Sequence, residues 1–170
     1  MSSAPLKRLR VIDLGRVWSG PLTTRILADF GAEVIKVEAL AGRGAYSGVN
    51  ARQNTLTEDF PDRQPGAHPW NRQGMFNDLN RNKQSLTLDL SQAEGVDIFK
   101  QLVAVSDVVV ENYTPRVMSN FGLDYAMLKK TKPDIIMLSM PAYGITGSYR
   151  EFPGYGNTIE PVAGLTHLTG

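Results

Sequence analysis

The chain has 170 residues, a length typical of one domain with room for a buried core. Its 18 basic and 17 acidic residues nearly cancel, which gives no indication of a nucleic-acid partner. The absence of cysteine excludes a disulfide framework, a thiol nucleophile and a thiolate metal site. No apolar run approaches the roughly 20 residues of a membrane span, and the first five residues lack the pattern of a signal peptide. We therefore expect a cytoplasmic protein.

The amino-terminal part of the chain has the pattern of a βαβ unit. An apolar strand over residues 9–14 runs into a glycine-containing loop over residues 15–20, which we call the first loop. Pro21 suits the start of a helix and Gly31 its end, and a second strand follows over residues 34–38. The first loop therefore lies where open parallel sheets bind ligands and where free backbone N–H groups favour phosphates. It lacks the Gly-x-Gly-x-x-Gly pattern of a dinucleotide site.

Three further strands continue this unit, with helical patterns between them. The last two strands are continuous apolar runs, as expected of strands covered on both faces. Alternation of strand and helix predicts an α/β fold with an open parallel sheet and right-handed crossovers. The three strands are predicted over residues 85–89, 107–111 and 134–139.

The helices between these strands have recognisable start and stop signals. Ser91 and Glu94 form the pattern of a capping box ahead of an apolar face at helical spacing. A shorter helix is predicted over residues 116–121 with Gly122 as its end, and another begins at Asp124. Lysines near the end of this last helix suit a helix carboxyl terminus.

Residues 39–83 interrupt the alternation of strands and helices. They are polar and show no sustained hydrophobic period. A loop of that length inside a compact domain is typical of a functional loop or an assembly element.

Side chains that can bind a ligand are predicted to meet at one edge of the sheet, because the carboxyl ends of parallel strands share that edge. They offer an aromatic ring for stacking, donors for phosphate oxygens and partners for a base edge, which suits a nucleotide. These residues are Arg16, Val17, Trp18 and Ser19 after the first strand, 39–43 after the second, Asp89, Leu90 and Ser91 after the third, Asn112, Tyr113 and Thr114 after the fourth, and Pro141, Ala142 and Tyr143 after the fifth.

Four stretches, residues 13–21, 27–38, 80–90 and 110–118, follow one another at characteristic spacings. Together they resemble the amino-terminal part of family III CoA-transferases, which include formyl-CoA, carnitine and benzylsuccinate CoA-transferases. The resemblance implies a Rossmann-like sheet that forms the amino-terminal part of a CoA-binding large domain over residues 1–170, with a long loop at 39–83. The remainder of the large domain and the small domain would be absent. The acyl group is left open.

The resemblance also implies where coenzyme A or an acyl-CoA would be held as a substrate, without a metal. A basic residue often follows the second strand in such proteins; this chain has Ala39 there, and Arg43 could substitute. Lysines that some relatives place near Ser91 and Pro153 are missing. The implied contacts are Arg16, Trp18, Ser19, Arg43, Leu88, Asp89, Leu90, Ser91, Asn112, Tyr113, Thr114, Gly154 and Tyr155.

The implied reaction is transfer of CoA between an acyl-CoA and a free carboxylic acid through an aspartyl intermediate. The expected aspartate lies beyond Gly170, so no catalytic residue is assigned within the chain, and the chain alone is expected to be inactive. The full-length protein is expected to be a homodimer, and the long loop at 39–83 would suit that assembly.

Two alternative functions remain. An α-methylacyl-CoA racemase would share the fold and the CoA site, but such enzymes carry a histidine where this chain has Tyr155, and a phenol is a poor base at neutral pH. A non-catalytic CoA-binding subunit would take its aspartate from another chain. Single residues also have structural alternatives: core packing for Trp18, backbone hydrogen bonds for Asp13 and Asn112, and a turn for Asp89. The isolated His68 and His167 do not indicate a metal site.

Overall fold

A computed structural model describes residues 4–39, 60–68 and 72–170. Within these ranges the chain forms five strands, seven α-helices and a short 3-10 turn at Pro61–Arg63. The strands are β1 Arg10–Asp13, β2 Glu33–Glu38, β3 Lys83–Thr87, β4 Val108–Glu111 and β5 Ile136–Ser139; the helices are α1 Ser19–Asp29, α2 Gly74–Leu79, α3 Ala93–Ala104, α4 Arg116–Asn120, α5 Tyr125–Thr131, α6 Gly156–Val162 and α7 Leu165–Thr169.

The five strands form one parallel sheet in the order β3-β2-β1-β4-β5, which confirms the predicted fold class. In the register of the sheet, Ile12 lies beside Ile35 on one side and Val109 on the other. The strand order reverses between β1 and β4, so the loops after these two strands flank a topological switch point. Ligands bind at such a point in open α/β sheets.

Helices cover the sheet on two faces. On one face, α3 and α5 supply Phe99, Val103 and Leu128 to the larger core, where all three are fully buried against Ile12 and Val109. On the other face lies a smaller cluster around α1, made of Val11, Ala28, Ala32, Val34, Val108 and Val110. The α1 face therefore has less apolar cover than the α3 face.

The prediction that both later strands are covered on both faces is right for β4 and wrong for β5. Every residue of β4 is buried. In β5, however, Ile136 is 59% exposed and Leu138 is 39% exposed. These two residues pair with Val108 and Val110 and so lie on the α1 face. Since α1 packs over β1, β2 and β4, the apolar run in β5 is left uncovered on this face among the described residues.

Two predicted helix starts differ from those observed. Helix α1 begins at Ser19, so Pro21 is its third residue rather than its first. The predicted capping box does not form, because the Ser91 hydroxyl donates to Asp89 Oδ1 and α3 begins after Gln92. The cap at Asp124 is confirmed: its carboxylate accepts from the Met127 N–H at 3.0 Å.

The polar segment 39–83 contains helix α2, which the sequence did not predict. This helix has only six residues, too few for a visible period. Its Leu79 is buried, and its Asp78 pairs with Arg25 of α1 at 2.9 Å. Residues 40–59 and 69–71, and with them the predicted contact Arg43, lie outside the described residues.

Candidate functional site

The first loop is a compact turn whose two ends touch. A Cβ added to Gly15 would lie 2.7 Å from the Gly20 Cα, and one added to Gly20 would lie 2.6 Å from the Gly15 Cα. Such distances are too short for any side chain, so both ends of the loop require glycine. The loop thus leaves β1 and returns at once into α1, at the switch point of the sheet.

Asn112, which follows β4, ties the loop after that strand to the first loop. Its Oδ1 accepts from the Arg16 N–H at 2.7 Å, and its Nδ2 donates to the Arg16 carbonyl at 2.8 Å and to Ser19 Oγ at 3.0 Å. The structural alternative for Asn112, a hydrogen bond to loop backbone, is therefore what the structure shows. Three predicted site residues, Arg16, Ser19 and Asn112, are brought together by these contacts.

Val17 and Trp18 form the tip of the first loop. Val17 has φ +61°, a left-handed conformation that is unfavourable for a β-branched residue. Strain of this kind persists only where the surroundings enforce it, and it is common at ligand sites. The Trp18 side chain follows directly and is 51% exposed, so it is not packed in the core. An exposed indole at the switch point offers a face on which a ring can stack.

Arg16 and Tyr113 extend the site from the first loop toward β4. The Arg16 guanidinium carbon lies 5.9 Å from the centre of the Tyr113 ring, a cation–π distance. Burial raises the pKa of the Tyr113 phenol, and the charge of Arg16 opposes that rise. The Tyr113 N–H donates to Glu111 Oε2 at 2.7 Å, which fixes the backbone after β4. The side-chain cation at this position can attract an anionic ligand.

Asp13 lies at the end of β1, directly beneath the first loop, and is fully buried. Its Oδ1 accepts from the Gly15 N–H at 2.7 Å, so the expected backbone role is confirmed. Its Oδ2 accepts from Thr24 Oγ1 at 2.8 Å and from Lys83 Nζ at 2.9 Å, and Lys36 Nζ is 3.6 Å away. Asp13 is therefore a structural carboxylate with every oxygen engaged.

The sequence did not single out Lys36 and Lys83. Both ammonium groups are nearly inaccessible, with side-chain exposures of 8% and 1%. Burial lowers the pKa of Lys83 to about 8, against the attraction of Asp13. Burial alone would raise the pKa of Asp13, but the two lysine charges, with hydrogen bonds from Lys83 and Thr24, hold it below its ordinary value. The sequence signal was the lysine inside the apolar strand β2, and the register of the sheet places it beside Asp13.

The residues after β3 form a turn of their own. Asp89 Oδ1 accepts from the Ser91 hydroxyl at 2.7 Å and from the Ser91 N–H at 2.9 Å. These two bonds lower the pKa of Asp89. Leu88 and Leu90 are buried in the larger core, so their side chains face away from solvent. The structure thus gives Asp89 its turn role.

The segment around Gly154 and Tyr155 lies beside the loop that follows β5. A Cβ on Gly154 would be 3.1 Å from the Tyr143 ring, and the Tyr143 hydroxyl donates to the Thr158 carbonyl at 3.3 Å. Tyr155 precedes α6 and is 62% exposed. These contacts link the segment to the loop after β5. Thr114 lies elsewhere, just before α4, where its carbonyl accepts from the Val117 N–H at 3.0 Å.

Among the described residues, the site offers groups suited to binding a ligand, and its carboxylates are engaged in backbone hydrogen bonds. The described carboxylates closest to it along the chain, Asp13 and Glu111, already accept backbone hydrogen bonds. Within residues 4–39, 60–68 and 72–170, no group of three histidine or acidic side chains could hold a metal ion. In the same ranges no helix has the length and apolar character needed to cross a bilayer. The arrangement supports a noncovalent site with an aromatic face and a cation.

Comparison with known proteins shows the family to which the chain belongs. Residues 6–170 match the family model described as CoA-transferase family III. Over 166 residues the chain is 38% identical to the alpha subunit of succinyl-CoA–L-malate CoA-transferase from Chloroflexus aurantiacus and 37% identical to human succinyl-CoA:glutarate CoA-transferase. The alignments cover 98% of this chain but only 36% and 34% of those proteins, so the chain spans about a third of their length.

A solved structure shows the same relation. The crystal structure of a CAIB/BAIF family protein from Brucella suis superposes with a TM-score of 0.81 at 36% identity, over 99% of this chain and 42% of that one. The superposition covers nearly all of the present chain and extends the match from sequence to fold. The chain belongs to CoA-transferase family III.

Proposed function

We propose that this chain is the CoA-binding portion of an enzyme that transfers CoA between an acyl-CoA and a free carboxylic acid. The observation that carries the proposal is the joined pair of loops at the switch point of a family III chain, where Asn112 holds Arg16 and Ser19 beside the exposed Trp18. The indole offers a stacking face for adenine, and Arg16 offers a cation for the pyrophosphate. CoA needs both.

The acyl group of the donor is proposed to be that of a dicarboxylic acid. Two similar proteins, from Chloroflexus aurantiacus and human, are named for transfer from succinyl-CoA, and their acceptors are named as malate and glutarate. All three acids carry a second carboxylate beyond the one that forms the thioester. Succinyl-CoA is therefore the first donor to assay.

The reaction is proposed to pass through an aspartyl intermediate, with the aspartate supplied from outside the described residues. The acyl-CoA would first acylate the aspartate and release CoA thiolate, which would then attack the aspartyl carbonyl of the mixed anhydride to give an aspartyl-CoA thioester and the free donor acid. The acceptor carboxylate would then attack this thioester, and the released CoA thiolate would attack the acceptor's carbonyl in the new anhydride, which gives the acceptor's CoA thioester and restores the aspartate. Asp13 is unsuited to this role because Gly15, Thr24 and Lys83 occupy its oxygens. We thus expect the 170-residue chain alone to bind CoA without turnover. The working form is proposed to be a cytoplasmic homodimer.

Mass spectrometry of the thioester products tests this function. The chain and a version extended to the length of its relatives are each mixed with succinyl-CoA and glutarate. Glutaryl-CoA formed by the extended protein alone supports the proposal. Turnover by the 170-residue chain would place the nucleophile within it, with Glu160→Gln as the variant that checks the one carboxylate on α6. Exchange of the α-proton of a 2-methylacyl-CoA with solvent deuterium, without new thioester, would favour the racemase.

A further inference from the structure

The buried charges beneath the first loop have no part in the chemistry proposed above, yet they touch both ends of that loop. At its start, Asp13 accepts from the Gly15 N–H, and Lys36 Nζ donates to the Gly15 carbonyl. One residue past its far end, Lys83 Nζ donates to the Pro21 carbonyl at 2.9 Å. Lys83 also bonds to Asp13, so the contacts at the two ends form one connected network.

The network lies in the sheet and not in the loop. Asp13 ends β1, Lys36 is its partner in the register of β2, and Lys83 begins β3. All three side chains are at least nine-tenths buried. Such buried charges hold their positions, because an ion pair in the interior that loses one partner leaves an uncompensated charge. The loop is therefore attached to buried side chains of three neighbouring strands.

The conformation held by this network is strained. Counting Asn112, side chains occupy the N–H and the carbonyl of both Gly15 and Arg16, the two residues before Val17. These four hydrogen-bonded groups fix the backbone just before Val17, whose φ lies in the left-handed region. A valine would leave that region if the preceding backbone groups were released. Trp18, the next residue, would then lose its present direction.

We propose that Asp13, Lys36 and Lys83 are positioning residues, which hold the first loop from below so that Val17 stays left-handed and Trp18 faces the ligand. The proposal rests on the CoA site described above, and it adds three buried residues that lie beneath the loop. Its functional consequence is preorganisation: without the network, only a fraction of molecules present Trp18 correctly, and the apparent Kd for CoA rises by the inverse of that fraction.

The test follows Trp18 itself, with the other tryptophan removed by Trp70→Phe and with excitation at the red edge, where the indole absorbs and tyrosine does not. Lys36→Met removes the bond to the Gly15 carbonyl while keeping an unbranched side chain. Lys83→Met, which leaves the Asp13–Lys36 pair, is a second variant in case the first does not fold. Leu128→Ala is the matched control: it weakens the core on the opposite face without touching the loop. Time-resolved fluorescence anisotropy reports nanosecond motion of the indole, and calorimetry reports CoA affinity.

In Lys36→Met we expect the fast component of the Trp18 anisotropy to grow about twofold and the Kd for CoA to rise about tenfold, as for a loop that is correctly placed in about a tenth of molecules. Lys83→Met is expected to shift both readouts the same way by less. Adding Val17→Asn to Lys36→Met should recover part of the affinity, since asparagine tolerates the left-handed region.

Equal Trp18 mobility in the parent, Lys36→Met and Lys83→Met would overturn the proposal, as would Leu128→Ala moving both readouts as far as the lysine variants do. If the parent protein does not bind CoA, that result contradicts the proposed function instead. In that case the anisotropy comparison still decides the positioning role, because it needs no ligand.

Discussion

The centre of the sheet and its β5 edge differ in how far their side chains are engaged by the rest of the chain. At the centre, where β1 meets β4, the first loop is held by side chains from three strands and by Asn112. At the edge, β5 leaves Ile136 and Leu138 exposed on the α1 face. At the centre, the buried polar groups named above all have partners within this chain. The edge, by contrast, has an apolar surface that none of the described residues covers. Substitutions at the centre and at the β5 edge should therefore lower the unfolding free energy by different amounts.

The largest effect is expected from Asp13→Ala. This change leaves Lys36 and Lys83 as two buried ammonium groups without a carboxylate, and breaking a buried pair in this way costs about 3–5 kcal/mol of unfolding free energy. Asp97→Ala is the control, because its carboxylate is exposed and pairs loosely with Lys100 at 3.6 Å. Urea unfolding followed by circular dichroism gives both values. Similar midpoints for the two variants would show that the central network does not stabilise the fold.

Asn112→Ala should have the next largest effect. It removes three hydrogen bonds and leaves the Arg16 N–H and carbonyl without those partners, which should lower the unfolding free energy by about 1–3 kcal/mol. Asn120→Ala, at an exposed position on α4, serves as the comparison and should be close to neutral. The same urea titration applies. A neutral Asn112→Ala would mean that the two loops are not coupled through this amide.

The pH dependence of the unfolding free energy should reveal the lowered pKa of Lys83. Its folded-state pKa of about 8 lies below the unfolded value near 10.4. Between these values the unfolded chain binds more protons at this site than the native protein. The contribution of Lys83 to stability therefore rises as the pH increases from about 8 to 10 and falls as the pH drops through 8. The difference in unfolding free energy between the parent and Lys83→Met, measured across this range, should show that slope. A difference that is flat with pH would contradict the assigned burial.

The smallest change in stability is expected at the edge. Replacing Ile136 and Leu138 together with threonine removes apolar surface that is already exposed, so the unfolding free energy should shift by no more than about 0.5 kcal/mol per site. By contrast, Leu128→Ala in the core should cost about 2–5 kcal/mol. Sedimentation velocity should show less self-association after the edge substitutions, because an uncovered apolar patch favours association. A large loss of stability would mean that β5 is covered after all.

Much of the fold could be predicted from local pattern, because each strand and its following helix carry their own signals. The observed strands overlap all five predicted ones, although β3 runs over Lys83–Thr87 and so begins and ends two residues earlier than predicted. Gly31 and Gly122 close their helices with φ of +98° and +66°. The errors arose where a neighbour in space decides the outcome. Ser91 was predicted to cap a helix, but Asp89 takes its hydroxyl. The apolar run of β5 matches that of β4, and only the placement of α1 distinguishes them.

The candidate site was predictable in its location and not in its bonding. Strand order brought the residues after β1 and β4 together as expected. The partnership of Asp13 with Lys36 depends on the register between β1 and β2, and that with Lys83 on the return of the chain after a polar segment. The hydrophobic periodicity of a segment predicts neither its register with another strand nor the left-handed conformation of Val17. The assignment of the CoA contacts, including Arg43 outside the described residues, stays a prediction.

Hydrogen–deuterium exchange with and without CoA tests the central claim most directly, that the ligand binds at the switch point between β1 and β4. With CoA present, we predict slower exchange in residues 14–20 and 112–114. Exchange in α5, which packs on the α3 face of the sheet, should be unchanged. Protection confined to other segments, or none in these two loops when calorimetry shows CoA bound, would contradict the account.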